Sequence, residues 1–322
     1  MKDPFGRNIE YMRISITDRC NLRCKYCMPE DLPEIPHEAI LRYEEILRIC
    51  SVSTRLGVNN FRVTGGEPLV RLGCMDFLRS LKGLPGVGQV MITTNGVLLE
   101  SHVPELKEIG VDGVNVSLDT LDRDVFRALT GADALARVIS GMEAALAAGL
   151  RVKLNCVAMR GVNDRDFLPI AALAARYPVD VRFIESMPIG AGSGYIPAPE
   201  DALIQAIQEE YPGLAENHER RGFGPARYYM HESLQGNIGF ISAISHGFCE
   251  TCNRIRLTSD GFLKTCLYYS ESADLKQILR HGGSDDALGE AIRAAVEKKQ
   301  EKHLFRLEAQ AAERRKMSQI GG

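Results

Sequence analysis

Six of the nine cysteines in this chain fall into two groups of three, and their spacing is that of metal ligands. Cys20, Cys24 and Cys27 form a C-x3-C-x2-C group, which places three thiolates within eight residues. Soft sulfur ligands suit iron–sulfur clusters and zinc. A structural zinc ion takes four protein ligands, and the nearest histidine, His37, is ten residues away. Three thiolates on a [4Fe–4S] cluster would leave one iron open to a small molecule, so this group favours a cluster over zinc.

The second group is more ambiguous. Cys249, Cys252 and Cys266 are spaced C-x2-C-x13-C, and His246 precedes them by three residues. A Cys3His zinc site fits these residues, and the hairpin-like segment 257–262 is typical of a zinc ribbon. The local sequence therefore leaves zinc and a second iron–sulfur cluster open.

The remaining cysteines, Cys50, Cys74 and Cys156, stand alone and are expected to be small buried hydrophobic side chains. The first residues lack the apolar run of a secretory signal, and no later segment has about 18 uncharged apolar residues. We therefore expect a cytoplasmic protein without a membrane span, in which cysteines are metal ligands or buried thiols rather than disulfides.

The composition is that of a folded globular protein. With 45% hydrophobic and 25% charged residues, the chain is neither disordered nor collagen-like, and 322 residues suit one large α/β domain or two smaller ones. A net charge of −3 argues against a general binder of nucleic acid or anionic membranes, although local arginine clusters can still bind phosphates.

Short apolar β patterns alternate with amphipathic helical patterns over the first two thirds of the chain. The predicted strands are 12–17, 61–64, 90–94, 113–118, 152–158 and 181–185. The predicted helices are 43–56, 74–82, 103–109, 134–148 and 166–176. Six β–α units in series predict a parallel sheet, either open and doubly wound or a barrel with fewer units than the eight of a complete TIM barrel. Because polar residues gather where these strands end, we expect the chemistry at their carboxyl ends.

The last third of the chain has a different pattern. The glycine-rich segment 190–194 is expected to be a connector rather than a flexible lid, and a helix is predicted over 202–210. The stretch 226–266 is expected to form short antiparallel strands that carry the second cysteine group. A charged helical tail is predicted over 287–317.

Two motifs resemble a known superfamily. The sequence DRCNLRCKYC at 18–27, followed by Gly-Gly-Glu at 65–67, resembles the radical S-adenosylmethionine (SAM) superfamily. The sequence CETCNRIR at 249–256, together with Cys266, narrows the resemblance to the GTP 3′,8-cyclase family, which starts molybdenum cofactor biosynthesis. This resemblance implies an α/β fold, an incomplete (β/α)6 TIM-type barrel of the radical SAM type that a C-terminal antiparallel and helical extension closes. Residues 1–220 would form the partial barrel and residues 221–322 the C-terminal region.

The resemblance also implies cofactor sites. The first cysteine group would hold a [4Fe–4S] cluster whose open iron binds the amino and carboxylate groups of SAM. Gly65 and Gly66 would let the backbone approach the methionyl amino group, since glycine permits close contact. The rest of SAM would be lined by Tyr26, Ser117 and Met187. A second [4Fe–4S] cluster on Cys249, Cys252 and Cys266 would bind the guanine base of GTP.

Eight further positions match substrate contacts of the family: Arg13, Arg62, Thr93, Lys153, Arg182, Arg254, Ile255 and Arg256. Six of them are basic and lie in or beside predicted strands, where isolated buried charges are costly. An anionic ligand shared among them offsets that cost, and arginine is well suited to phosphate oxygens. The terminal Gly321 and Gly322 match a family tail that reaches the active site, and we count them with the catalytic residues.

The implied reaction converts GTP to (8S)-3′,8-cyclo-7,8-dihydroguanosine 5′-triphosphate, the first step towards molybdopterin. A 5′-deoxyadenosyl radical from SAM would abstract hydrogen from ribose C3′, and the carbon radical would attack guanine C8. The implied partners are GTP, an electron donor and, by transient handover, the next pathway enzyme, with no nucleic acid or membrane. The chain would be a monomer or a homodimer.

Two alternatives belong to other classes. Another twin-cluster radical SAM enzyme that modifies a peptide or a cofactor would carry both clusters without binding GTP. A zinc-binding interaction protein would contain zinc instead of iron after anaerobic purification.

Overall fold

The computed structural model describes residues 1–28, 34–305, 313 and 315–320. Within them, the strands are β1 (Tyr11–Ser15), β2 (Asn60–Thr64), β3 (Val90–Thr94), β4 (Gly113–Ser117), β5 (Val152–Ala158), β6 (Asp180–Glu185), β7 (Ala215–Asn217), β8 (Arg227–Met230), β9 (Ile238–Ile241), β10 (Arg254–Leu257), β11 (Phe262–Lys264) and β12 (Ala273–Asp274). The helices are α1 (Tyr43–Arg55), α2 (Cys74–Lys82), α3 (Leu99–Ile109), α4 (Arg123–Thr130), α5 (Leu135–Ala147), α6 (Phe167–Ala171), α7 (Leu173–Arg176), α8 (Glu200–Glu210), α9 (Leu275–Arg280) and α10 (Asp285–Glu297).

All of these strands join one sheet in the order β12-β11-β10-β1-β2-β3-β4-β5-β6-β9-β8-β7. The eight strands from β10 to β9 in that order pair in parallel, and an antiparallel pair of strands extends each edge. The predicted α/β fold with a mostly parallel sheet is therefore confirmed. Among the described residues no hydrogen-bonded ladder joins β12 to β7, so the sheet is not closed by backbone pairing.

The helices follow the strand order on the outside of the sheet. Helix α10 packs on α1, α1 on α2, α2 on α3 and α3 on α5. Apolar side chains of strands and helices form one continuous core, which includes the buried Cys50, Cys74 and Cys156. As predicted, these three thiols are buried, and burial raises the pKa of Cys74 to about 12. No helix in the described part of the chain is both long and apolar enough to cross a membrane.

The first six predicted strands agree with β1–β6 to within two residues at each end. The prediction of antiparallel strands over 226–266 was only half right. Strands β8 and β11 are antiparallel to their neighbours, but β9 pairs in parallel with β6 and β10 pairs in parallel with β1. Both β9 and β10 are mostly buried, as parallel strands usually are, although two of the four residues of β10 are arginines. Their pairing partners are too distant in sequence for a local pattern to indicate.

The predicted helices differ from the structure in several places. The helix expected over 166–176 is split into α6 and α7. Helix α4 was missed, although Asp122 caps its N-terminus through the N–H groups of Asp124 and Val125 and Gly131 follows its end. The charged tail is not one long helix, because α10 ends at Glu297 and residues 298–305 are not helical. Residues 306–312 and 314 of the predicted tail lie outside the described residues.

Candidate active site

The two cysteine groups lie at opposite ends of the parallel strands. The chain runs along β1 and reaches Cys20 just beyond its carboxyl end. Cys252 instead precedes the amino end of β10, which pairs in parallel with β1, Tyr11 opposite Arg254. Cys266 follows β11, which runs antiparallel to β10 and so returns to the same end. Only the first group therefore fits the expectation of chemistry at the carboxyl ends.

Backbone contacts hold the first cysteine group. The N–H of Cys27 donates to the carbonyl of Cys24 at 2.9 Å. The N–H groups of Arg23 and Lys25 donate to carbonyls at the end of α4, at 2.8 and 3.0 Å. Burial raises the pKa of all three thiols, that of Cys27 to about 12. Since metal ligation needs thiolates, a bound cluster must displace these protons.

A single metal ion does not fit either group. Among the described residues, no three His, Cys, Asp or Glu side chains converge on one ion. The nitrogens of His246, the fourth ligand in the zinc interpretation, lie 3.6 Å from Glu200 and 3.8 Å from Asp201. Cysteines that bind different irons of a cluster need not converge on one point, as the ligands of a single zinc ion must. Three cysteines without a fourth protein ligand fit a [4Fe–4S] cluster with one open iron better than a four-coordinate structural zinc ion.

Gly65 and Gly66 pack against the chain that leads into the first cysteine group. The N–H of Gly66 donates to the Thr17 carbonyl at 2.7 Å, and that of Glu67 to the Arg19 carbonyl at 2.8 Å. A Cβ on Gly65 would lie 2.7 Å from the Thr17 oxygen, and one on Gly66 would overlap the Arg19 carbonyl. This close approach requires glycine at both positions. The contact with SAM remains a prediction.

Glu67 and Asn95 support Cys20, and neither was predicted to have a role at the site. The buried carboxylate of Glu67 accepts from the Thr94 hydroxyl at 2.8 Å and from the Asn95 N–H at 2.6 Å. The Asn95 amide in turn donates to the Cys20 sulfur at 3.6 Å and to the Asn21 side chain at 2.7 Å. The sequence signal that could have indicated the role of Glu67 is an acidic residue directly after two glycines at the end of a strand. Such supporting hydrogen bonds orient metal ligands.

We expect Glu67 to make stability depend on pH. Burial raises the pKa of Glu67 from its usual 4.5 to about 7. The folded chain therefore holds this proton more tightly than the unfolded chain, so stability present below pH 4.5 is lost as pH rises to 7. That loss is about 3 kcal/mol. In urea unfolding of the metal-free chain, the difference in stability between Glu67→Gln and the unsubstituted chain should grow by this amount over that range. A constant difference would contradict the assignment.

Tyr26, Ser117 and Met187 lie around the carboxyl ends of the strands. The Tyr26 hydroxyl donates to the buried carboxylate of Asp119 at 2.7 Å. Burial raises the pKa of Asp119 to about 6. Ser117 is the last residue of β4. Gly192, in the predicted connector, packs so that an added Cβ would lie 2.7 Å from the Met187 carbonyl and 3.7 Å from that of Tyr26. The glycine-rich segment therefore packs against both Met187 and Tyr26, two of the predicted SAM contacts.

The predicted phosphate contacts form a band of positive charge on the amino halves of the strands. Arg13 of β1 lies opposite Arg62 of β2 on one side and Arg256 of β10 on the other. Burial, and then the positive charge of Arg256, lowers the pKa of Arg13. Burial, and then the charge of Arg254, lowers the pKa of Arg256 to about 10. An anion bound among these guanidinium groups would relieve their repulsion.

Several of these arginines, Arg62 and Arg182 among them, keep a buried donor unused in the described part of the chain. Arg62 and Arg182 are 7% and 3% exposed, and the Nε of each has no hydrogen-bond partner in the described part of the chain. Arg62 contacts the sulfur of Met91 at 3.5 Å, and Arg182 donates to the Asn115 side chain at 2.7 Å. Buried guanidinium donors without partners are costly unless a ligand accepts from them.

The other predicted substrate contacts lie in different surroundings. Lys153 lies 3.1 Å from the Asp180 carboxylate, and the Thr93 hydroxyl accepts from the Asn115 amide at 3.2 Å. Arg254 stacks its guanidinium 4.9 Å from the Phe248 ring. Ile255 alternates with the arginines on β10, and its buried side chain packs in the core. A substrate contact of Ile255 would therefore come from its backbone. A cavity of about 300 Å³ is lined by Arg62, Lys153 and Arg182.

The end of the chain lies beside the first cysteine group. The backbone N–H of Ser318 donates to the Cys27 sulfur and partly offsets the effect of burial on the pKa of that thiol. Ile320 is fully buried in a small apolar cluster with Ile189, Tyr268 and Phe305. Gly321 and Gly322, the predicted catalytic tail, follow directly but lie outside the described residues.

Comparison with known proteins defines the class first. The model of the radical SAM superfamily matches residues 14–174, half of the chain, and that of Molybdenum Cofactor Synthesis C matches residues 179–305. The chain is thus a radical SAM protein, which supports SAM and an iron–sulfur cluster as its cofactors. Curated relatives named GTP 3′,8-cyclase are 46% identical in Heliobacterium modesticaldum and 41% identical in Clostridium perfringens, over 100% of both chains in each case. The chain belongs to the GTP 3′,8-cyclase family, as the cysteine motifs predicted.

Solved structures share the fold at low sequence identity. Streptococcus suis SuiB bound to S-adenosylmethionine matches with a TM-score of 0.64 at 15% identity, over 93% of this chain and 73% of that one. The structure titled native anSMEcpe with bound AdoMet matches with a TM-score of 0.56 at 18% identity, over 92% and 82% of the two chains. These likenesses support the radical SAM type of fold.

Proposed function

We propose that this chain converts GTP to (8S)-3′,8-cyclo-7,8-dihydroguanosine 5′-triphosphate, the first step in the biosynthesis of molybdopterin. One observation carries the proposal beyond the family assignment. A band of buried cations, with free Nε donors on Arg62 and Arg182, lies along strands that have one cysteine group near each end. A nucleoside triphosphate is the anion that such a band would bind between two metal centres.

In this proposal each cysteine group holds one [4Fe–4S] cluster. The first cluster and SAM supply the one-electron chemistry that removes a hydrogen atom from the substrate. Asn95 orients Cys20, and Asp119 fixes the hydroxyl of Tyr26 at the SAM side. The second group would place the guanine base at the amino ends of the strands.

The basic residues orient the substrate rather than react with it. Arg13, Arg62 and Arg256 lie on three adjacent strands, and Arg182 lies farther along the sheet on β6. Together they would fix the triphosphate, so that the ribose faces the SAM side. The catalytic role of Gly321 and Gly322, which lie outside the described residues, is proposed from the family resemblance alone. The division into residues 1–220 and 221–322, the electron donor, the handover to the next enzyme and the oligomeric state remain predictions.

The test is a reaction with a chemical reductant. We expect the anaerobically reconstituted chain, incubated with dithionite, SAM and GTP, to form 5′-deoxyadenosine and an isomer of GTP in equal amounts by mass spectrometry. Deoxyadenosine without consumption of GTP would contradict the substrate and favour a radical SAM enzyme acting on a peptide or a cofactor. Neither product, from protein with about eight irons, would contradict the reaction class.

A further inference from the structure

The segment 218–224 forms a wall of the cationic cavity and has no role in the function proposed above. It joins β7 to β8, and all seven of its residues line the cavity. Seven lysine and arginine side chains line this cavity, against two glutamates, Glu216 and Glu219. Segment 218–224 itself contributes Arg220 and Arg221 to that excess of positive charge.

Contacts with residues before β1 and on β1 and β6 fix segment 218–224 across the amino ends of the strands. Arg220 pairs with Glu10 at 2.6 Å and stacks on Phe223, whose ring in turn stacks on Tyr11 of β1 at 6.4 Å. On the opposite side, Arg221 pairs with Asp180 of β6 at 3.0 Å. The segment therefore bridges strands from the two sides of the cationic band.

Lys153 uses its three donors to hold Arg221. Its ammonium contacts the Asp180 carboxylate at 3.1 Å and the Tyr228 hydroxyl at 3.0 Å, and it donates to the carbonyl of Arg221. Asp180 also accepts from the Asn237 amide at 3.0 Å. Arg221 is thus held through its carbonyl by Lys153 and through its guanidinium by Asp180.

Arg221 keeps donors for a ligand. Its Nε and Nη2 face Asp180, whereas the one approach to Nη1 from the described residues is that of the exposed Glu219, at 3.6 Å. The Arg221 side chain is 31% exposed and lines the same cavity as Arg62 and Arg182. Lys153, whose three donors are occupied, offers a ligand only its positive charge. Arg221 offers a ligand positive charge and also the hydrogen-bond donors of Nη1.

We propose that Arg221 binds the phosphate chain of the nucleotide, and that Lys153 and Asp180 position it. This inference rests on the proposed function, because it takes a nucleoside triphosphate as the ligand. Arg221 closes the cavity at the phosphate end, so it discriminates a triphosphate from a monophosphate. Lys153 then contributes as a positioning residue and as a nearby positive charge.

Equilibrium binding of GTP and of GMP to the cluster-loaded chain, under anaerobic conditions and without SAM, tests this role. We expect Arg221→Gln to weaken GTP binding by about tenfold or more, since a hydrogen bond to a charged group is lost. GMP binding should change less than about twofold, because its single phosphate does not reach Arg221. Arg221→Lys, which retains the charge without the fork, should be intermediate for GTP.

Arg176→Gln is the matched control, since it removes one positive charge from an exposed site at the end of α7, away from the cavity. It should leave both affinities unchanged. If Arg221→Gln has wild-type iron content yet weakens GTP and GMP equally, or neither, the role of Arg221 is overturned while the proposed function stands. If the unsubstituted chain binds neither nucleotide, the proposed function itself fails.

Discussion

Serine in place of Cys20, Cys24 and Cys27 should abolish the formation of 5′-deoxyadenosine and leave one cluster in place. A serine hydroxyl does not ionise as a thiol does, so the first cluster loses its ligands. The second group is supported separately, since Arg7 donates to the Cys249 carbonyl at 2.9 Å and Lys299 to the Arg254 carbonyl at 3.2 Å. Iron analysis should fall from about eight to about four atoms per chain.

The reciprocal substitution separates the two centres. Serine at Cys249, Cys252 and Cys266 should also leave about four irons and retain cleavage of SAM, but GTP should no longer be cyclised. Cys50→Ala is the control, because this buried thiol of α1 lies in the core and should leave both clusters. Either triple variant that retained all its iron with unchanged circular dichroism would contradict the ligand assignment.

The sequence predicts best what is local along the chain. Cys20, Cys24 and Cys27 are close in sequence, and the six β–α units alternate with clear apolar periods, so the first metal site and β1–β6 could be predicted. The basic residues lie on strands, as predicted, but not at the carboxyl ends, where we expected the chemistry. Arg13 and Arg62 are the third residues of β1 and β2, and the cavity that Arg62 lines opens between the amino halves of the strands.

Supporting contacts could not be predicted, because they join residues far apart in the chain. Glu67 acts on Cys20 through Asn95, and Asp180 meets Arg221 across 41 positions. Without the structure, each of these residues is an ordinary polar residue next to a strand. The parallel pairing of β10 with β1 could not be predicted for the same reason, since its partners Arg13 and Arg256 are farther apart in the chain than any periodic pattern can span.

The buried ion pair between Lys264 and Glu313 should be among the most sensitive points of the chain. Their side chains are 0% and 3% exposed. Glu313 also accepts from the N–H of Arg315, and its own N–H donates to the Tyr268 carbonyl at 2.9 Å. Glu313→Gln would leave the Lys264 ammonium buried without its counter-ion, which should lower the free energy of unfolding by about 3–5 kcal/mol in urea titrations.

The same pair fixes the end of the chain between the two cysteine groups. Lys264 lies two residues before Cys266, while Ser318, five residues after Glu313, donates to the Cys27 sulfur. Loss of the pair should therefore raise hydrogen exchange at residues 315–320 more than in the rest of the chain. The double variant Lys264→Met with Glu313→Leu should recover most of the stability, since a buried apolar pair needs no counter-ion. Equal exchange in Glu313→Gln and the unsubstituted chain would show that the tail is held by its apolar cluster with Ile320 instead.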